Sequence, residues 1–178
     1  EASHVAVGSN GLLFLPFMSG VATPHNDPNA SGAFIGLTKA HGKAAFVRSI
    51  LEGVAYNFRD GFDALEAMGY PAVDLRLTEG GSKSLLWCSI MADVLGRNLK
   101  ALEELESSAL GAAILAGVGG GFWPTVPDAV KSAVRVVREV EYSPERNNAY
   151  SSYYDLYSQA YRQLRNTMAK IAELEKRG

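Results

Sequence analysis

The chain has 178 residues, 47% of them hydrophobic, and its 17 basic and 19 acidic side chains give a formal net charge of −2. That length and apolar content are enough for one domain with a sizeable core. The balanced charge argues against a nucleic-acid partner, which usually requires a basic face. Cys88 is the one cysteine and the histidines lack zinc-site spacing, so we expect no metal site and a cytoplasmic protein.

The first half of the chain predicts two strands and a long helix. Short apolar runs at 12–17 and 33–37 flank a turn-rich segment, 23–29, and indicate a pair of strands. From Lys43 to Met68 the apolar residues recur every three or four positions, which is typical of a helix with one buried stripe. The predicted stripe consists of Phe46, Ile50, Val54, Phe58, Phe62 and Leu65.

The second half alternates strands with helices. We predict strand 73–78, helix 82–95, strand 98–102, helix 109–118, helix 128–134, an extended or irregular segment 135–142, and a helix from Pro144 onward. Ser107 or Ser108 is the expected N-cap of helix 109–118, and Asp128 is the expected N-cap of helix 128–134. One face of the last helix is expected to be Tyr150, Tyr153, Tyr154, Tyr157, Tyr161, Leu164, Met168, Ile171 and Leu174. Such alternation predicts an α/β fold with a mixed sheet.

The 78–84 segment passes from the predicted strand through Gly80 and Gly81 into the next helix. Ligands of open α/β sheets bind at the carboxyl ends of strands, and glycine lets a ligand approach the main chain. Ser82 and Ser84 could cap the helix and donate hydrogen bonds to a nucleotide. An ordinary tight turn has the same pattern, and Lys83 is more simply a solvated lysine than a phosphate ligand.

Four other side chains have both a functional and a structural interpretation, and Cys88 has only a structural one. His25 and Asp27 could form an acid/base pair, although Asp in a proline-rich turn more often bonds its own backbone. Glu52 could reach a partner or be a paired carboxylate within the helix. Trp87 could flank an adenine or pack in the core, and Cys88 is expected to be a small core residue.

Seven segments, taken in order, carry a recognisable set of motifs: 12–20, 23–30, 32–38, 49–53, 79–87, 92–96 and 106–113. As a set they resemble the FGGY carbohydrate kinases, from about Gly11 to Trp123. Within that family, the loop around Thr23 looks most like the xylulokinase branch.

The resemblance implies a ribonuclease-H-like fold of the actin and hexokinase type, working with ATP and Mg²⁺ on a pentulose such as xylulose. It also implies that residues 1–178 are the carboxyl-terminal, nucleotide-side domain and that an amino-terminal sugar-binding domain is absent. Gly80, Gly81, Ser82 and Ser84 would then bind the adenosine. The family's catalytic aspartate matches no residue here, so we expect this fragment to be inactive alone. Homodimer formation is a further hypothesis by analogy with the family.

The sequence also departs from the family pattern. Glu79 stands where glycine is common, Val21 and Ala22 replace a charged pair, and Ala45 occupies a usually polar place. These departures leave open a second hypothesis, a non-catalytic relative that acts as a nucleotide- or sugar-binding regulatory module.

Overall fold

A computed structural model describes residues 1–103 and 106–176, and only the backbone of Glu79. The strands are β1 (Leu13–Leu15), β2 (Ala33–Ile35), β3 (Leu75–Leu77), β4 (Leu99–Leu102) and β5 (Val136–Val140). The helices are α1 (Lys43–Ala67), α2 (Glu79–Ser82), α3 (Leu85–Leu95), α4 (Ser107–Gly119), α5 (Val126–Ala133) and α6 (Pro144–Glu175). The chain divides into two compact units, one of Glu1–Ala72, Asp93–Gly96 and Ser143–Gly178, the other of Val73–Ala92 and Arg97–Tyr142.

In the first unit, the predicted strand pair around the turn-rich segment is confirmed. β1 and β2 are antiparallel, with Leu13 opposite Ile35 and Leu15 opposite Ala33. All three residues of β1 are buried. α1 packs on β1 at Gly53, where an added Cβ would collide with the backbone oxygen of Phe14. Glycine is therefore required at this helix–strand contact.

α1 itself is confirmed, but the prediction of its buried stripe is wrong. None of the six predicted stripe residues is buried, and three of them are at least 40% exposed, namely Ile50, Phe58 and Leu65. The buried face consists of Ala45, Arg48, Ser49, Glu52, Gly53, Ala55, Tyr56 and Asp60. The charged members of this face and Ser49 can be buried because each has hydrogen-bond partners, either in one another, in backbone or in side chains of other segments, and periodicity does not reveal such partners.

Glu52 illustrates that pairing. One carboxylate oxygen accepts hydrogen bonds from Arg48 Nε at 2.7 Å and from the Tyr150 hydroxyl at 3.1 Å. The Gly8 amide donates to the same oxygen, and the Ser9 hydroxyl donates to the other at 2.8 Å. Glu52 therefore has the paired-carboxylate role, and it holds Gly8 and Ser9 in left-handed conformations.

α6 covers this unit with the predicted tyrosine face. Tyr150, Tyr157, Tyr161 and Met168 are buried, whereas Ile171 and Leu174 near the end of the helix are exposed. Ser143 begins the helix, and its hydroxyl accepts a hydrogen bond from the Arg146 amide. The predicted tyrosine face of α6 is therefore buried or half-buried as far as Met168, and the prediction is wrong for Ile171 and Leu174.

The second unit contains a mixed three-stranded sheet in the order β3-β4-β5. β3 runs parallel to β4, and β5 runs antiparallel to β4, which confirms the predicted mixed sheet. Segment 135–142, predicted as extended or irregular, forms β5 because pairing with β4 supplies its backbone hydrogen bonds.

Two predicted caps in this unit are corrected. Glu106 is the N-cap residue of α4, so Ser107 and Ser108 lie inside the first turn. α5 is capped by Thr125, whose hydroxyl accepts a hydrogen bond from the Asp128 amide at 3.3 Å. Asp128 is therefore a first-turn residue rather than the cap. Among the described residues, no helix is both long and apolar enough to cross a membrane.

Candidate functional site

The 78–84 segment follows β3 directly, as predicted, but its conformation is different. Thr78 is extended and serves as the N-cap of α2, a single helical turn from Glu79 to Ser82. Gly80 and Gly81 are therefore helical rather than part of a bare turn, and the predicted helix 82–95 starts at Leu85 instead. The local sequence favours a turn here, because glycine has a low helix propensity. We attribute the helical turn to the packing of Gly81 against a neighbouring side chain, which outweighs that propensity.

Gly80 and Gly81 have opposite surroundings. A Cβ added to Gly80 would meet no atom within 4 Å, so the space beside this backbone is open. A Cβ added to Gly81 would lie 2.8 Å from Nε1 and 2.9 Å from Cδ1 of Trp87. The indole therefore packs directly on Gly81, which explains the glycine there, while Gly80 offers main chain to a ligand.

The two predicted serines have different roles. The Ser84 side chain is exposed, and its hydroxyl accepts a hydrogen bond from the Trp87 amide at 3.2 Å. The Ser84 carbonyl accepts another from the Cys88 amide at 2.9 Å, so Ser84 begins α3 as predicted. Ser82 is 4% exposed and belongs to the interior of this unit. The structure thus leaves Gly80 and Ser84 at the surface and places Ser82 behind them.

The backbone of Ser82 is anchored by two neighbours. Its carbonyl accepts a hydrogen bond from Arg138 Nη1 at 3.4 Å and lies 3.5 Å from the Cys88 Sγ. Cys88 is fully buried, as expected for a core residue, and burial raises the pKa of its thiol despite the opposing effect of Arg138. Arg138 on β5 fixes the end of α2, a role that sequence reasoning missed because the residues lie 56 positions apart.

A second pair of hydroxyls lies at the start of the segment. Thr78 Oγ1 and Ser107 Oγ are 3.3 Å apart, which joins the end of β3 to the first turn of α4. Both residues belong to segments at the carboxyl ends of parallel strands β3 and β4. The site therefore combines exposed main chain at Gly80, the start of α3 and two hydroxyls, a set suited to a polar ligand with an apolar ring.

The alternative acid/base pair lies in the first unit. Asp27 Oδ1 accepts a hydrogen bond from the Asn29 amide at 3.0 Å, as expected for an aspartate in a turn. Its Oδ2 accepts from the Tyr161 hydroxyl at 2.9 Å and Arg165 Nε at 3.2 Å. Burial by itself would raise the pKa of Asp27, but these donors outweigh it and lower the pKa.

His25 bonds a different carboxylate. Its Nε2 lies 3.2 Å from Asp60 Oδ2, and Asp60 also accepts from the Tyr154 hydroxyl at 2.7 Å. These contacts attach the turn-rich loop to α1 and α6. The geometry favours the structural interpretation of His25 and Asp27 over catalysis.

The resemblance to ATP-dependent enzymes makes Mg²⁺ an expected ion. In the part of the chain that the structure describes, no group of three or more His, Cys, Asp or Glu side chains is arranged to hold a metal ion. The described residues therefore do not form an all-protein cage for Mg²⁺, an ion that is more often held by one or two carboxylates together with substrate phosphates.

Comparison with known proteins identifies relatives of this chain. A xylulose kinase from Staphylococcus epidermidis is 34% identical over 96% of the chain and 34% of its own length. A gluconokinase from Bacillus licheniformis is 34% identical over 98% of the chain and 34% of its own length. The chain thus spans about a third of the length of these curated relatives.

A solved structure gives the same result. The crystal structure of xylulose kinase from Rhodospirillum rubrum superposes with a TM-score of 0.82 at 34% identity, covering 94% of this chain and 33% of that one. This likeness confirms the predicted fold, that of the sugar kinases related to actin and hexokinase. Residues 1–120 match the model of the carboxyl-terminal domain of the FGGY carbohydrate kinases. The chain belongs to the FGGY family of carbohydrate kinases, as the order of its motifs predicted.

Proposed function

We propose that this chain is the nucleotide-binding part of an ATP-dependent sugar kinase that acts in the cytoplasm. The observation that carries the proposal is the open space beside the Gly80 backbone, with the Trp87 indole packed on Gly81 just behind it. A purine is a flat, partly apolar ring that can lie against exposed main chain, and the ribose attached to it carries hydroxyl groups that form hydrogen bonds with polar neighbours.

Each residue of the site has a distinct task under this proposal. Gly80 contacts the nucleotide through its backbone, and Gly81 is held in place by Trp87. Ser84 begins α3, and its hydroxyl is exposed four residues after Gly80 in the chain. Ser82 supports the segment through its carbonyl, which is bonded to Arg138. Of the four predicted nucleotide-binding residues, Gly80 and Ser84 are proposed to touch the ligand.

Phosphoryl transfer depends mainly on positioning and on neutralising the charge of the transferred group. A domain that grips adenosine supplies the positioning of ATP, while the acceptor sugar and the general base must come from elsewhere. We assign no catalytic base to this chain. The protein would therefore need the further length that its relatives have, including an amino-terminal sugar-binding domain, and the 178-residue chain alone would show no sugar phosphorylation.

The proposed acceptor is a pentulose, with xylulose as the leading candidate. A relative and a solved structure that match nearly the whole chain are called xylulose kinases. A gluconokinase matches almost as well, so a sugar acid is the competing acceptor. Because acceptor contacts lie outside this chain in our proposal, its residues do not choose between the two.

The test is a coupled ADP-release assay on the intact protein with ATP and a panel of pentuloses, polyols and gluconate. We expect turnover with one acceptor class, led by xylulose. Absence of turnover with every acceptor, together with measurable ATP binding, would favour the regulatory module instead. The same assay on the 178-residue chain should give no ADP release above the ATP blank.

A further inference from the structure

The outer face of α1 carries a continuous apolar surface. It is made by residues that fall within roughly 120° around a helix of 3.6 residues per turn. They are Val47, Ile50, Leu51, Val54, Phe58, Gly61, Phe62 and Leu65. None is charged, and Val47, Ile50, Phe58 and Leu65 are 40%, 40%, 49% and 43% exposed.

The inner face of the same helix is the polar one. It buries Arg48, Glu52 and Asp60, each with hydrogen-bonded partners. Helices at protein surfaces normally have the reverse arrangement, with the apolar stripe inward and charges outward. A contiguous apolar face of this kind at a protein surface often marks a site of interaction with another segment.

Part of the outer face is shaped as a groove. Thr23, Phe58, Gly61, Phe62 and Leu65 line a space of about 310 Å³. Gly61 lies at the bottom of this groove, where the lack of a side chain leaves open space, and a Cβ there would meet no atom within 4 Å. A groove between aromatic and aliphatic walls is suited to an apolar side chain from another segment.

We propose that the outer face of α1 docks against an apolar surface of the same kinase, contributed by the length that the relatives possess and this chain does not. This inference rests on the proposed function, because it requires the chain to work within a polypeptide about three times as long. The partner surface would be rich in aliphatic side chains and free of charge, as the face of a β-sheet is where a helix packs on it.

Size argues against a second copy as the occupant. From Val47 to Leu65 the helix rises about 27 Å at 1.5 Å per residue. With a width of about 10 Å, the face offers roughly 300 Å² per copy, well below the about 800 Å² per partner of a stable complex. A segment of the same polypeptide docks without the entropy cost of association, so a small face is sufficient.

Thiol labelling of the intact protein tests this proposal. Phe58→Cys places a thiol in the groove, and Ser152→Cys places a matched thiol on the exposed part of α6. A maleimide time course, read peptide by peptide by mass spectrometry, gives the rate at each position. We expect F58C to label at least tenfold more slowly than S152C at every protein concentration, and both to label equally fast in denaturant.

Two results would overturn the proposal. Equal rates for the two thiols in the folded protein would mean that the outer face stays exposed. Protection of F58C that appears only as concentration rises, together with a dimeric mass, would assign the face to a second copy. The labelling needs neither ATP nor sugar, so it tests docking separately from kinase activity. If F58C is unprotected in a protein that phosphorylates a sugar, only the docking proposal is rejected. If F58C is protected in a protein without kinase activity, only the proposed function is rejected.

A charge substitution gives an independent readout in the intact protein. Phe58→Asp places a carboxylate in the groove, whereas Leu156→Asp makes the same kind of change on α6, where Leu156 is 51% exposed. We expect F58D to lower the thermal midpoint by several degrees and L156D to leave it nearly unchanged. Equal midpoints for the two variants would contradict the proposal.

Discussion

The indole of Trp87 lies against the backbone of Gly81, so that even one added methyl group at position 81 would stand 2.8 Å from Nε1. We therefore expect Gly81→Ala to push the ring out of place and shift its fluorescence emission to longer wavelength. Trp123→Phe in the background isolates the signal of Trp87. Gly111→Ala, where a Cβ would meet nothing within 4 Å, is the control. Unchanged emission in G81A would contradict the contact.

Gly80→Val tests the ligand side of the same segment. The added Cβ would enter the open space beside Gly80 and meet no protein atom within 4 Å, so we expect the substitution to obstruct a nucleotide and spare the fold. In the intact enzyme we expect the ATP KM to rise about tenfold, equivalent to about 1.4 kcal/mol, with the sugar KM nearly constant. Gly119→Val, also at an unoccupied position, controls for the loss of a helical glycine. Equal effects on both KM values would contradict the assignment.

Much of the fold is predictable from the sequence, because strands and helices follow from period and turn residues. The face that α1 buries is not predictable in this way, because hydrogen bonds such as that between Arg48 and Glu52 allow a polar face to be buried. The apolar face of α1 is exposed in this chain, and in our proposal the surface that covers it lies outside the chain. The helical state of Gly80 and Gly81 was also missed, since it depends on packing with Trp87. Thr78 and Ser107 meet only after β3 and β4 pair.

Glu52→Gln should destabilise the fold. Removing the charge leaves the buried Arg48 guanidinium with a neutral partner and weakens the hydrogen bonds to Gly8 and Ser9. Breaking a buried ion pair by removing one partner costs about 3 kcal/mol. Chemical denaturation followed by far-ultraviolet circular dichroism measures the loss. The exposed Glu173 provides the control, since E173Q should change the free energy of unfolding by less than about 0.5 kcal/mol.

Gly53→Ala should be destabilising as well, because its Cβ would collide with the Phe14 backbone oxygen and force α1 away from β1. Overpacking of this kind costs about 1–3 kcal/mol. Gly111→Ala in α4, where space is open, should instead stabilise by up to about 1 kcal/mol through helix propensity. We expect thermal denaturation to show a lower midpoint for G53A and a higher midpoint for G111A than for the parent. Equal shifts of the two midpoints would contradict the tight contact at Gly53.

Asp27 should make stability depend on acid pH. Its pKa is lowered in the folded state by Tyr161, Asn29 and Arg165, against the effect of burial. Because the pKa of Asp27 is lower in the folded state than in the unfolded state, its ionised carboxylate stabilises the fold. This stabilisation is fully present above the unfolded pKa near 3.8 and is lost as the pH falls through the folded pKa. Asp27→Asn should therefore be less stable than the parent at pH 6, and the difference should shrink toward pH 3. A difference independent of pH would contradict this linkage.

The proposed function requires that the 78–84 segment hold the base and ribose of ATP. The most direct measurement is a crystal structure of the intact protein with a non-hydrolysable ATP analogue. We expect the purine in van der Waals contact with the Gly80 backbone, and the nucleotide within hydrogen-bonding distance of Ser84. A purine bound well away from Gly80, with that backbone still open to solvent, would contradict it.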